Sequence, residues 1–122
     1  MIKSIKRYLS KPKLSREAFE AYFHRLPDGI EVNWRRDGKF IVGSVVADGK
    51  KFVTQGLNAD EFIEMVNDAV ITVFDIPEDY IDAINKSKAY SPTAEEYKRL
   101  NDNKISHSSF GSKKREGALA LA

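Results

Sequence analysis

The side chains that could carry chemistry are few, and their spacing says where to look. Asp60, Glu61, Glu64 and Asp68 are carboxylates three, four and eight residues apart, the spacing that puts side chains on one face of a helix. Carboxylates of a two-metal nuclease converge from different strands and helices into a pocket, whereas these run along one solvated helix face. They fit a surface that attracts a basic partner better than a metal site. The histidines are His24, on an aromatic helical stretch, and His107, in a Ser/Lys/Gly-rich stretch; neither stands near a second ligand or a nucleophile. The chain has no cysteine, so disulfides and thiolate metal sites are excluded. Its glycines at 29, 38, 49 and 56 punctuate turns and strand ends and form no phosphate loop. The expectation is a protein that is not an enzyme, with no catalytic residue, no metal and no cofactor.

The element that must position those acids starts at a strand-to-helix junction, Phe52-Val53-Thr54-Gln55-Gly56-Leu57-Asn58-Ala59-Asp60-Glu61-Phe62-Ile63. Asn58 is the expected N-cap, with Glu61 reaching back to the Asn58 N–H to complete a capping box, and Leu57 with Phe62 at the staple positions. Phe62, Val66, Ala69, Val70 and Val73 then form the apolar stripe of a helix running to about Phe74. Such a helix needs a sheet to cover, and the preceding residues supply one. Ile30, Val32 and Trp34 alternate with Glu31, Asn33 and Arg35, as in a strand with one wet face. Asp37-Gly38 and Asp48-Gly49 read as type I′ hairpin turns. Between them Phe40–Ala47 is apolar at nearly every position, which predicts a strand that is central or covered on both faces. Lys50–Gln55 completes a three-stranded meander. Trp34, Phe40, Val42, Phe52, Phe62, Val66 and Val70 are the expected shared core.

On the N-terminal side, Ile2, Ile5 and Leu9 suggest a short helix. A second start at Ser15 carries an aromatic stripe of Phe19, Tyr22, Phe23 and Leu26, read as a packing surface. After Phe74, helical pieces are predicted from Pro77 and from Pro92. The second opens on Glu95 and Glu96, which argues against its reading a DNA groove. From Asn103 onward Ser, Lys, Gly and Ala dominate, and residues 104–122 read as a disordered basic tail. The expected organisation is an N-terminal helical extension (1–28), an α+β core (29–90), a short helical extension (91–103) and the tail.

The net charge of +2 is unevenly spread. Residues 1–25 carry seven Lys/Arg against two Asp/Glu, while residues 57–103 carry four against eleven. Basic ends can meet phosphates, and an acidic helical middle can meet a basic protein. No apolar run approaches the ~20 residues that cross a bilayer. The chain is expected to be cytoplasmic and to have no membrane partner.

The run Gly29-Ile30-Glu31-Val32-Asn33-Trp34, an Asp-Gly turn, an apolar strand, and then Thr54-Gln55-Gly56 with its capped acidic helix resembles HicB-like domains over roughly half the chain. The resemblance implies a β-β-β-α-β core related to a degraded ribonuclease H fold. It also implies a type II antitoxin that binds and masks a small basic HicA-type mRNA-cleaving toxin. On that reading Asp60, Glu61, Glu64 and Asp68 are the partner-binding residues, and the missing last strand falls at Ile71–Phe74 or within Ala89–Tyr90. No following DNA-binding module is recognisable. Two other readings stand beside it: an orphan HicB-like or nucleic-acid-associated module working through its basic termini, and a remnant nuclease. Homo-oligomerisation is compatible with all three, and contact with nucleic acid stays open.

Overall fold

The computed structural model describes residues 15–87 and 89–114. The helix read over the first nine residues, and the end of the basic tail beyond residue 114, lie outside the described residues. The chain forms α1 (Arg16–Arg25), β1 (Gly29–Asp37), β2 (Phe40–Ala47), β3 (Lys50–Gly56), α2 (Ala59–Val73), α3 (Glu78–Ser87), α4 (Ala94–Asn101) and β4 (His107–Lys113). Among the described residues the fold is α+β: one antiparallel four-stranded sheet in the order β3-β2-β1-β4, with four helices.

Register explains which side of the sheet is filled. Trp34 pairs with Gly43, and Gly43 with Thr54, so Ile30, Val32, Trp34, Ile41, Val45 and Phe52 share the face that packs on the helices. Phe62 enters that face where β2 carries no side chain. A Cβ on Gly43 would lie 2.5 Å from the Phe62 ring, so glycine there makes room for an aromatic ring with no exposed surface. Phe40 and Val42 do not join this core. They alternate onto the other face with Ser44 and Val46 and are only half-buried, because no helix among the described residues covers that side. The apolar run of β2 therefore marks its central place in the sheet and not burial on both faces.

The hairpin turns differ from each other. In β2–β3 the positive φ angles fall on Asp48 and Gly49, as a type I′ turn requires. In β1–β2 Asp37 pairs with Phe40, the loop residues are Gly38-Lys39, and positive φ falls on Gly38 alone. That is the type II′ pattern, displaced by one residue from the Asp-Gly turn the sequence predicts.

The fourth strand is neither Ile71–Phe74 nor Ala89–Tyr90. Residues 71–73 complete α2, which ends in a Schellman arrangement with Asp75 at φ 61 and the Ile76 N–H donating to the Ile71 carbonyl. The strand comes from the stretch read as disordered tail: His107–Lys113 pairs with residues 29–35 of β1, Phe110 against Val32 and Ser112 against Ile30. Phe110 is buried, and Ser112 Oγ donates to the Ser91 carbonyl at 3.0 Å while accepting from the Ser91 N–H at 3.0 Å. Lys114 follows the strand and donates its ammonium to the Phe23 and Leu26 carbonyls at 3.0 and 3.1 Å, capping the end of α1. Ordering this stretch is offset by a full ladder of backbone hydrogen bonds and not by apolar bulk, which is why its composition misleads.

Arg36 holds the approach to β4. Its guanidinium donates to the carbonyls of Leu100, Asp102 and Ile105 at 2.7, 2.8 and 2.8 Å, and to that of Arg99 at 3.2 Å, and it lies over the Trp34 ring at 5.3 Å. One side chain thus satisfies the C-terminal carbonyls of α4 and the loop that returns the chain to the sheet. The aromatic stripe of α1 is a packing surface: Phe19 and Phe23 stack at 5.9 Å and are buried, and Tyr22 meets Tyr80 edge-on at 4.9 Å.

Candidate partner-binding groove

Asn58 caps α2 as its sequence implies, its Oδ1 accepting the Glu61 N–H at 2.9 Å. Glu61 reaches back one residue further than a capping box needs, accepting the Leu57 N–H at 3.0 Å. Its carboxylate is engaged in the helix start and does not line the groove described next. Leu57 stays half-exposed.

From this cap α2 carries Asp60, Glu64 and Asp68 along one side, facing the segment Ser91–Asp102 and Asn85 of α3. Between them lies a groove of about 1370 Å³. Ile63, Pro92 and Ala94 give it apolar patches, and Asn67, Tyr97 and Asn101 supply neutral polar groups. Four carboxylates line it (Asp60, Glu64, Asp68 and Asp102) against one ammonium, Lys98. The opposite wall is set by α4, which starts with a complete capping box: Glu96 N–H to Thr93 Oγ1 at 3.2 Å and Thr93 N–H to Glu96 Oε1 at 2.7 Å.

The three groove carboxylates of α2 are not equivalent. Asp60 accepts the Tyr97 hydroxyl at 2.6 Å, tying α2 to α4, and Asp68 accepts the Asn85 amide at 3.0 Å, tying α2 to α3. Glu64 is exposed and makes no hydrogen bond or ion pair with the other described residues. A cation entering the groove meets a free carboxylate in the middle and two oriented ones at the ends. No group of three or more His, Asp or Glu side chains stands close enough to hold a metal ion among the described residues.

Asn67, Asn85 and Tyr97 were not legible as groove residues. Asn67 carries the one signal that could have shown it, a polar residue next to Val66 in the apolar stripe. It is buried, its Oδ1 accepting the Tyr90 N–H at 2.9 Å and its Nδ2 donating to the Tyr90 carbonyl at 2.9 Å and to the Ile63 carbonyl at 3.0 Å. Tyr90 in turn donates its hydroxyl to the Pro27 carbonyl. Burial pushes this phenol well above its ordinary range, and the carboxylates of Asp48 and Asp28 push it the same way.

His24 is exposed on α1, and His107 opens β4 with Nδ1 at 3.1 Å from Ser106 Oγ, so the two imidazoles share no site. No helix among the described residues is long and apolar enough to cross a membrane. Comparison of the chain with known protein families, with curated proteins and with solved structures finds no match.

Proposed function

We propose that the chain is a non-catalytic binding protein that takes a basic partner into the groove between α2 and α4. The observation that supports this reading is the groove's lining of four carboxylates and one lysine, with Glu64 unengaged among them. Negative potential in a concave site steers a cationic partner and speeds encounter, while the apolar patches and the Asn101 amide supply short-range contact. The HicB-like run at residues 29–70 names the kind of partner: a small basic RNA-cleaving toxin of the HicA type, held inactive by stoichiometric binding.

The test uses the full chain, captured with its partners from its own cells and identified by mass. A small basic ribonuclease is expected, released by rising salt and silenced at a one-to-one ratio. Glu64→Lys should slow its association strongly at low salt and less at high salt, where screening already weakens the steering. Glu64 is the clean probe, because reversing Asp60 or Asp68 also breaks a bond between helices. RNA cleavage by the chain itself with magnesium or manganese, lost on substituting Asp60, Glu64 and Asp68, would replace this reading with that of a nuclease.

A further inference from the structure

The sheet face turned away from the helices has a pattern that complements itself. Its three central rungs run across β3, β2 and β1 as Lys51–Val46–Glu31, Val53–Ser44–Asn33 and Gln55–Val42–Arg35, with Phe40 continuing the β2 line. The middle column is apolar apart from Ser44. Val46 is 37% and Val53 67% exposed. On the first rung an ammonium and a carboxylate flank a valine, one on either side, and neither makes an ion pair with the chain's own described residues.

We infer that this face binds a second copy of the same chain, with the two-fold axis running along β2. Such an axis lays β2 on β2 and exchanges β1 with β3, keeping each rung opposite itself. Val46, Val42 and Phe40 then meet their own counterparts. Lys51 of each copy faces Glu31 of the other, and Gln55 faces Arg35, so the flanks pair reciprocally by charge and hydrogen bond. Aligned sheets pack about 10 Å apart and rotate by about 30°, an offset of a few ångströms at the rim that the lysine stem spans. Exchanging β2 with β1 and β3 with β4 instead, about an axis between β2 and β1, would set Val46 against Glu31 and Val42 against Arg35. Of the two, the β2 axis is the one that sets valine on valine along β2 and plus against minus on the first rung, while Val53 meets Asn33 of the other copy at the middle rung. The acid-lined groove lies in the helical layer on the other side of the sheet, so the dimer leaves both grooves free.

The contact spans three strands of about seven residues, smaller than the ~1,200–2,000 Å² of stable complexes, so the dimer is weak, with Kd on the order of 100 μM. The full-length chain should show a monomer–dimer equilibrium by sedimentation from ~10 μM to ~1 mM, a range bracketing that Kd. E31K and K51E each place like charges on the outer rung twice per dimer and should weaken self-association about tenfold or more. An equimolar mixture of the two variants puts two lysines opposite two glutamates at both positions and should restore dimerisation. That recovery separates interface repulsion from damage to the fold. A wild-type chain monomeric at 1 mM, a dimer indifferent to both substitutions, or a mixture that fails to reassociate would each overturn the inference.

Discussion

Replacing Asn67 tests how the helical layer is fixed to the chain that follows it. The Asn67 amide makes the two hydrogen bonds to Tyr90 that a neighbouring strand would otherwise make, in a site where Asn67 and Tyr90 are 6% and 2% exposed. Asn67→Ala strands a buried N–H and a buried carbonyl, each costing about 1–3 kcal/mol, and entry of water at the groove edge recovers part of that. The expected loss is about 2–4 kcal/mol in urea unfolding with an unchanged slope. Asn67→Asp sharpens the test, since it keeps the shape and the acceptor for the Tyr90 N–H while turning a second oxygen onto the Tyr90 and Ile63 carbonyls. Burial and those carbonyls disfavour the anion, so the folded carboxyl titrates above its unfolded value of ~3.9. A group raised in this way contributes fully below the unfolded value and loses its contribution as pH rises through the folded one. The deficit of Asn67→Asp against the parent chain is therefore largest at neutral pH and narrows toward pH ~4. A loss under ~1 kcal/mol for the alanine variant, or a pH-independent deficit for the aspartate, would refute this account.

Arg36→Ala should cost about 2–4 kcal/mol and strip hydrogen-exchange protection from β4 before the rest of the sheet, with Arg36→Lys recovering under half because an ammonium cannot fork across four carbonyls. Tyr90, titrating higher folded than unfolded, contributes stability that is whole below pH ~10 and declines as pH rises further. Tyr90→Phe should flatten that alkaline decline while lowering stability at neutral pH by about 1–2 kcal/mol, because the Pro27 carbonyl loses its donor; an unchanged alkaline limb would place the titration elsewhere.

Local signals read well where one residue type answers one physical demand. The Asn58 cap, the apolar stripe of α2 and the alternation of β1 needed no knowledge of distant residues, and each stands where the spacing placed it. Errors arose where a distant partner decides. His107–Lys113 has almost no apolar content, and only the free edge of β1, some seventy residues upstream, makes it a strand. Phe40 and Val42 look like core, yet they lie on the sheet face that carries no second helical layer among the described residues and stay half-buried. In the groove, Asp60, Glu64 and Asp68 follow from helix periodicity, whereas Asn85 and Tyr97 come to them only through the packing of α3 and α4. Glu61 shares their spacing in sequence but turns back to the helix start.

The late position of β4 has a consequence during synthesis. About fifty residues separate the end of β3 from the start of β4, so at 5–20 residues per second the ribosome takes roughly 3–10 s to supply the strand that closes the sheet. Throughout that interval β1 has a bare hydrogen-bonding edge beside Ile30, Val32 and Trp34, on a nascent chain whose meander is already complete and whose α2 follows directly after it. Neighbouring ribosomes on one message hold chains with the same open edge. Expression yield should therefore depend on chaperones that shield nascent strands, and slow codons placed between residues 57 and 106 should lower it without altering the finished protein.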